Sequence, residues 1–145
     1  QREFFTRQCL LANELDMPVI VHDREAHGDT LDILKQTHPK GVVHCFSGSK
    51  EMAADIIRLG MYIGLNGVAT FKNARKSLEV AKTIPIERLV LETDCPYLAP
   101  EPFRGRRNDS SYIIYIAKRL APELNVSAQE LLSITNENAR RLYNM

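Results

Sequence analysis

The sequence has no long apolar segment. Among its 145 residues, nothing approaches the ~18 consecutive apolar side chains that a membrane-spanning helix needs. The first residues also lack the basic and apolar regions of a secretory signal peptide. We therefore expect no contact with a membrane and a cytoplasmic location, or a nuclear one if the source is eukaryotic.

Cysteine is scarce and never closely paired. Cys9, Cys45 and Cys95 are odd in number and far apart, and no Cys-x-x-Cys motif is present. This pattern argues against a disulfide framework and against a structural zinc site. We expect three reduced, buried thiols.

The chain has no excess of charge of either sign. Its 19 basic and 18 acidic side chains give a net charge of +1, so no overall field would draw it onto nucleic acid, and any phosphate affinity must be local. With 44% hydrophobic and 26% charged residues, the composition is typical of a globular protein. The length predicts a single domain over residues 1–145.

Three apolar, strand-like runs each end on a possible metal ligand. PVIVHDREA ends its run at His22, GVVHCFSGS at His44, and RLVLETDCPYLAP at Asp94. Imidazole and carboxylate are the ligands of hydrolytic metal sites, and barrel enzymes keep their chemistry at strand ends. A histidine at the end of one such run is usually structural, so the set of three carries the prediction of a metal-dependent hydrolase.

The spacing of these ends predicts an alternating β/α chain. From His22 to His44 is 22 residues, from His44 to Asn66 is again 22, and from Asn66 to Asp94 is 28. One β/α unit needs about 20 to 30 residues. Strands are predicted at 18–23, 41–45, 61–65 and 88–93, and helices near the start and at 26–37, 50–59 and 73–83. The apolar runs are typical of parallel strands buried on both faces, which indicates half of an eight-stranded barrel.

The C-terminal region is predicted to be helical. Ser127 and Glu130 form a capping-box pattern before two leucines, and Thr135 or Asn136 is placed to begin a last short helix. At the other end, the chain opens on Gln1 directly before an amphipathic pattern, so we expect it to be part of a longer protein.

Five segments together resemble one known family. IVHDREAH, HCFSGS, GLNGVATFKNA, LETDCPYLAPEPFRGRRN and ITNENARRLY look like successive motifs of the TatD family of metal-dependent deoxyribonucleases. The resemblance covers essentially the whole chain. It implies a TIM-type (β/α)8 barrel with parallel strands, outer helices and a metal site at the strand ends, to which this chain contributes about four β/α units with His22, His44 and Asp94 as ligands.

The resemblance also implies that part of the site lies elsewhere. The family pattern includes a His-x-His on the first strand and a glutamate in a GEIGLDY-like motif, and neither is present in this C-terminal portion. We therefore expect the strands near His22 and Asp94 to have unpaired edges, covered by the N-terminal half of the protein or by self-association. The isolated fragment should be weakly active or inactive.

The implied reaction is hydrolysis of DNA phosphodiester bonds, on single strands or at ends, by a water activated by Mg²⁺, Mn²⁺ or Zn²⁺. Asp94 is the candidate to orient and deprotonate that water. Glu92, two residues earlier in the strand and so on the same side, is the candidate to hold a neighbouring ligand.

Four arginines are candidates for binding phosphate. Arg24 follows His22, and Arg104, Arg106 and Arg107 lie in the loop after Asp94, so all should open on the face that carries the ligands. A guanidinium group matches phosphate in a bidentate manner, and Gly105 would let the backbone approach DNA. The alternative for each arginine is a solvated loop position.

Other residues near the strand ends have simpler interpretations. His27 and His38 lack strand-end placement and are predicted to be surface or capping residues, and Ser47 is predicted to cap a helix. Strand alternation predicts that Cys45 and Cys95 point away from the ligands and pack under the helices. The nearby aromatic residues should mostly pack in the core or the loops, with one or two free to stack on bases; these are Phe46, Phe71, Tyr97 and Phe103.

Two other functions remain open from the sequence. The chain resembles amidohydrolases broadly enough that a small ester, lactone or amide could be the substrate. A non-catalytic half-barrel that only pairs with another chain is the second alternative. The ligands themselves suit zinc or manganese, and magnesium less well.

Overall fold

Four short strands form one sheet, and helices connect them. The strands are β1 (Val19–His22), β2 (Gly41–His44), β3 (Tyr62–Leu65) and β4 (Leu89–Leu91). The helices are α1 (Arg2–Glu14), α2 (His27–Thr37), α3 (Lys50–Arg58), α4 (Arg75–Thr83), α5 (Ile113–Leu120) and α6 (Ala128–Tyr143). Short 3₁₀ turns cover Gly67–Thr70, Ile86–Arg88, Ser110–Tyr112 and Ala121–Leu124. This computed structural model describes all residues, 1–145.

The sheet confirms the predicted half-barrel. The strand order is β1-β2-β3-β4, and each neighbouring pair is parallel. The three connections between successive strands pass through α2, α3 and α4, as in successive β/α units. Every predicted strand and crossover helix is present, with its ends displaced by no more than two residues. Parallel pairing therefore places the C-terminal ends of all four strands at the same end of the sheet.

The two faces of the sheet bury different side chains. Val21, Val43 and Ile63 face the helices and belong to a core of 20 buried hydrophobic residues. Their strand neighbours point the other way, because side chains alternate along a strand. On that second face Val42, Tyr62 and Val90 pack against Leu142, near the end of α6. The histidines that end β1 and β2 have the same parity as Val42 and so belong to this second face.

The helix termini follow local hydrogen-bonding rules. Ser49 rather than Ser47 caps α3, where its side chain accepts a hydrogen bond from the Met52 amide at 3.3 Å. The predicted capping box of α6 is present, with Ser127 and Glu130 bonding each other's backbone amides. These caps satisfy amides that have no partner inside the helix.

The predicted break near Thr135 and Asn136 is wrong, because α6 runs without interruption. Thr135 turns its hydroxyl inward and donates to the Leu131 carbonyl at 2.8 Å, so it stays within the helix instead of capping a new one. Three residues later, the buried amide of Asn138 donates to the carbonyls of Ile86 and Leu89 at 2.8 and 2.7 Å. These bonds tie the helix to the beginning of β4.

The edge at β1 is apolar and accessible. Ile20 on β1 is 62% exposed, and on the amphipathic helix α1 only Cys9 is buried. A cavity of about 560 Å³ lies between α1, β1 and α2 and extends to His22.

None of the six helices has both the length and the apolar character of a membrane-spanning segment.

Candidate metal centre

The ends of β1 and β2 place two imidazoles side by side. His22 and His44 are register partners in the parallel pair, and their ring centres are 6.2 Å apart with an interplanar angle of 36°. His22 is exposed and His44 is half-buried. The 22-residue spacing in the sequence thus corresponds to one strand-to-strand step in the sheet.

His44 is held between two carboxylates. Its Nε2 lies 2.6 Å from Oδ1 of Asp94, and its Nδ1 lies 2.8 Å from Oε1 of Glu92. The Glu92 hydrogen bond is the main reason that the pKa of His44 is raised above its ordinary value, although burial opposes the shift. The structure thus brings the predicted site residues His44, Glu92 and Asp94 together.

Glu92 has a second donor at the end of β2. Its Oε1 accepts a hydrogen bond from the backbone amide of Cys45, which adopts a left-handed conformation with φ of 47°. That conformation is uncommon for residues other than glycine, so the bond to Glu92 helps to stabilise the turn. The carboxylate consequently orients both the imidazole of His44 and the backbone that follows it.

Asn66 is a site residue that sequence reasoning missed. It is 3% exposed, and its amide donates to Oδ2 of Asp94 at 2.7 Å and to the Cys45 sulfur at 2.9 Å. Its carbonyl oxygen accepts from the Val68 amide at 3.0 Å and caps the turn after β3. The signal was the strand-end spacing, which marked position 66 but gave no reason to assign a role to an amide.

The prediction for two of the cysteines is wrong. Cys45 does not pack under the helices, because its left-handed backbone breaks strand alternation and turns the sulfur toward Asn66 and Asp94. Burial, with a smaller contribution from the Asp94 charge, raises the pKa of the Cys45 thiol to about 11. Cys95 is exposed rather than buried, and only Cys9 lies in the core.

The donor set fits a divalent metal in kind but is incomplete. Nitrogen donors from His22 and His44 stand at the ends of the neighbouring strands β1 and β2, and the Asp94 carboxylate, which follows β4, reaches His44 at 2.6 Å. No group of three His, Cys, Asp or Glu side chains converges on a single metal position, however. The chain offers part of a metal site rather than a closed one.

The predicted phosphate-binding arginines are placed differently from one another. All four are exposed, and the guanidinium of Arg104 in addition stacks over the ring of Phe71 at 4.3 Å. The loop that carries Arg104, Arg106 and Arg107 is anchored by Asn108, whose amide donates to the Tyr97 carbonyl at 2.6 Å. The arginines at 104, 106 and 107 thus belong to an anchored loop that begins beside Asp94.

The remaining aromatic and histidine predictions are mostly confirmed. Phe46 is buried, and Phe103 stacks on Tyr112 at 4.4 Å, whereas Tyr97 in the same loop is 74% exposed. His38 ends α2 on the surface in a left-handed conformation.

His27, at the first turn of α2, differs slightly from the predicted surface role. Its Nδ1 lies 2.7 Å from Oδ2 of Asp23, a buried carboxylate next to His22. Asp23 also accepts from the Ala26 amide at 3.1 Å. Sequence reasoning assigned no role to Asp23, which connects the end of β1 to the start of α2.

Comparison with known proteins decides the family. The profile described as "TatD related DNase" matches residues 1–144. The chain belongs to this family. An uncharacterized metal-dependent hydrolase of Bacillus subtilis, YabD, is 45% identical over 99% of the chain, and one of Escherichia coli, YcfH, is 40% identical over all of it.

These TatD relatives are longer than the chain. It spans 57% of YabD, 56% of YcfH and 59% of a Pantoea vagans protein named "3'-5' ssDNA/RNA exonuclease TatD", to which it is 36% identical. The chain therefore spans somewhat more than half the length of the curated relatives that it matches.

Solved structures of TatD proteins share the fold. The Escherichia coli TatD homolog YjjV superposes with a TM-score of 0.87 at 32% identity, covering 95% of this chain and 54% of YjjV. A TatD family hydrolase of Entamoeba histolytica gives a TM-score of 0.81 at 28% identity, covering 94% of this chain and 54% of that protein. The four parallel β/α units are thus a partial TatD barrel.

Proposed function

We propose that the whole protein is a divalent-metal-dependent hydrolase that cleaves phosphodiester bonds in DNA. The observation that carries this proposal is the pairing of His44 Nε2 with Asp94 at 2.6 Å beside the register partner His22. Barrel enzymes build their sites at this end of the strands. The family membership and the names of the relatives support a metal-dependent hydrolase.

His22, His44 and Asp94 would hold the metal, together with ligands from outside this chain. When bound, a divalent metal supplies a water of lowered pKa and stabilises negative charge on the phosphoryl oxygens. Asp94 would orient that water and accept its proton, and Asn66 holds Oδ2 of its carboxylate for this role. Glu92 keeps the His44 ring oriented by binding Nδ1, which leaves Nε2 on the side of Asp94.

The substrate is proposed to be single-stranded DNA or DNA ends. Arg106 and Arg107 present free guanidinium groups in the loop that begins at Asp94, and Arg24 does so beside His22. Tyr97 is 74% exposed in the same loop and offers a face for stacking a base, worth about 1–3 kcal/mol. Arg104 already stacks on Phe71 and would act mainly by adding positive charge. The name of the Pantoea vagans relative points to the same substrate class.

We propose that the partner of this chain is the remaining half of the barrel. Where that half is absent, a second copy of the chain would cover the same surface. Apolar side chains stand exposed along α1 and β1, including Leu11 at 52% and Ile20 at 62%. β1 and β4 are the outer strands of the sheet, and each has a free edge. We expect the isolated chain to be weakly active or inactive, and its cytoplasmic location stays a prediction.

The test is nucleotide release from single-stranded DNA with Mn²⁺ or Mg²⁺. The decisive protein is a chimera that joins the part of YabD preceding the matched region to this chain, compared with the chain alone. We expect turnover by the chimera and loss of turnover in EDTA. Asp94→Asn should lower kcat by about a hundredfold or more, because the proton acceptor is gone.

Matched variants separate the site from the surface. His44→Ala should abolish metal-dependent turnover, whereas His38→Ala, at an exposed helix end, should leave it unchanged. Arg106→Ala and Tyr97→Ala should weaken binding of single-stranded DNA without changing metal affinity. A metal-loaded chimera that cleaves small carboxyl esters or lactones but no DNA would overturn the nuclease proposal.

A further inference from the structure

Gly64, in the middle of β3, lies directly under the Glu92 carboxylate. A methyl group added at Gly64 would stand 2.5 Å from Oε2, 2.6 Å from Cδ and 2.7 Å from Oε1 of Glu92. Carbon and oxygen atoms that are not bonded do not approach this closely. The three atoms nearest to that position all belong to the carboxyl group, so position 64 and the carboxylate compete for one volume.

The backbone gives no other reason for a glycine here. Gly64 pairs with Val90 in the parallel ladder and is not among the glycines with positive φ, which are Gly41, Gly60 and Gly105. A glycine inside a strand weakens the strand, and it often marks a close approach by another group. Space rather than conformational freedom therefore distinguishes this position.

The sheet order explains why the space is needed. Glu92 continues β4, where its amide donates to the Leu65 carbonyl at 3.1 Å, whereas its carboxylate binds His44 and Cys45 at the end of β2. β3 lies between these two strands. Neighbouring strands are about 4.8 Å apart, so the side chain must cross the full width of β3. It crosses at Gly64.

We propose that Gly64 is a positioning residue for the metal site. Its missing side chain is the passage through which Glu92 reaches over β3 and fixes the Nδ1 side of His44. The consequence for metal binding rests on the proposed function, whereas the consequence for the His44 hydrogen bond does not. An alanine at position 64 would displace the carboxylate from both His44 and Cys45.

The first test measures the His44–Glu92 hydrogen bond in the 145-residue chain without metal, by ¹⁵N-edited NMR of the imidazole. In the wild type we expect a protected Nδ1–H resonance for His44. Gly64→Ala should lose it, whereas Gly28→Ala should keep it, because a methyl group at Gly28 meets nothing within 4 Å. A folded Gly64→Ala chain with an unchanged His44 resonance overturns the proposal.

A double-mutant cycle keeps the proposal testable if Gly64→Ala folds poorly. Gly64→Ala should lower the midpoint of the unfolding transition, and this decrease should largely disappear in a Glu92→Ala background, where the obstructing carboxylate is absent. It should persist in a Glu92→Gln background, where the side chain has the same size. Equal losses in all three backgrounds would show that position 64 contacts something else.

The functional consequence is read from metal affinity. By calorimetric titration of the YabD chimera with Mn²⁺ or Zn²⁺, Gly64→Ala should raise Kd about ten- to a hundredfold, as loss of an outer partner of a ligand does. Gly28→Ala should not change it. If the wild-type chimera binds no metal, the proposed function fails while the NMR test of Gly64 still stands; metal affinity unchanged by Gly64→Ala overturns the proposed positioning of the site.

Discussion

At the scale of single residues, Asn66 joins the Asp94 carboxylate to the turn that follows β3. Its amide group binds Asp94 and Cys45 on one side, and its carbonyl caps the Gly67–Thr70 turn on the other. One buried side chain therefore fixes both the position of a proposed ligand and the course of the chain after β3. Its removal should affect stability and metal binding together.

We predict that Asn66→Ala lowers the free energy of unfolding by about 1–3 kcal/mol. The change removes the acceptor of the Val68 amide and the donor to Oδ2 of Asp94, and leaving a buried polar group without its partner carries a desolvation cost. Urea denaturation monitored by circular dichroism measures the effect. Asn73→Ala, at an exposed position seven residues after Asn66, is the matched control and should change stability little. A loss no larger than that of the control contradicts the assigned role.

We predict that iodoacetamide labels Cys95 far faster than Cys45 or Cys9 at pH 8. Hydrogen bonds from Ser110 and Thr93 lower the pKa of the exposed Cys95 thiol, whereas burial raises the pKa of Cys9. With a pKa of about 11, only about one Cys45 thiol in a thousand is ionised at pH 8. Time-resolved peptide mass mapping gives the three rates. The labelling of Cys45 should accelerate as the pH rises toward 11, and equal rates for Cys45 and Cys95 at pH 8 would contradict the prediction.

The strand-end positions of the proposed ligands could be predicted from the sequence, because each residue follows an apolar run and each run can be recognised without its neighbours. The roles of Asn66 and Gly64 could not, since both depend on which strand neighbours which. The direction of the Cys45 side chain was wrong for a local reason. Alternation holds only while the strand continues, and the left-handed turn at Cys45 ends it.

At the scale of elements, α6 is fastened to the sheet by a polar contact inside an apolar interface. Asn138 is fully buried, and its amide donates to the carbonyls of Ile86 and Leu89, just before and at the start of β4. Four residues later Leu142 packs on the second face of the sheet against Val42 and Val90. The helix thereby covers the beginning of β4 and part of the surface below the site.

We predict that Asn138→Ala destabilises the protein by about 2 kcal/mol. Two carbonyls lose their donor, and the bond to Leu89 is buried, so the desolvation cost of that carbonyl is no longer offset. Asn136→Ala is the matched control on the same helix, because Asn136 is exposed. Thermal unfolding of both variants measures the difference. Similar midpoints for the two would mean that Asn138 does not anchor α6.

The ends of the strands and crossover helices could be predicted to within two residues, because each element is one segment with an apolar pattern that lies between turn residues. The end of the chain could not. A capping residue in a sequence can begin a helix or bond inward within one, and Thr135 does the latter. Only the position of β4, against which Asn138 packs, decides between the two.

At the scale of the whole molecule, the sheet is open at both edges. A closed eight-stranded barrel has no edges, whereas here β1 and β4 each have one neighbour. Apolar side chains stand exposed beside the β1 edge and on α1; they are Phe4, Leu10, Leu11, Leu15, Met17 and Ile20. Unpaired strand edges and a contiguous apolar surface both favour association with another chain.

We predict that the isolated chain self-associates through the apolar surface beside β1, at protein concentrations on the order of tens of micromolar. Ile20→Lys places a charge on the outer strand, where Ile20 is 62% exposed, and should shift the population toward the monomer without unfolding it. Met145→Lys adds the same charge at a residue that is 84% exposed at the far end of the chain, and should not. Sedimentation velocity over a concentration series distinguishes the species. If the proposed partner half covers the same β1 surface in the YabD chimera, the wild-type chimera should sediment with less association than the isolated chain. If the isolated wild type is monomeric at every concentration, the β1 surface does not drive association.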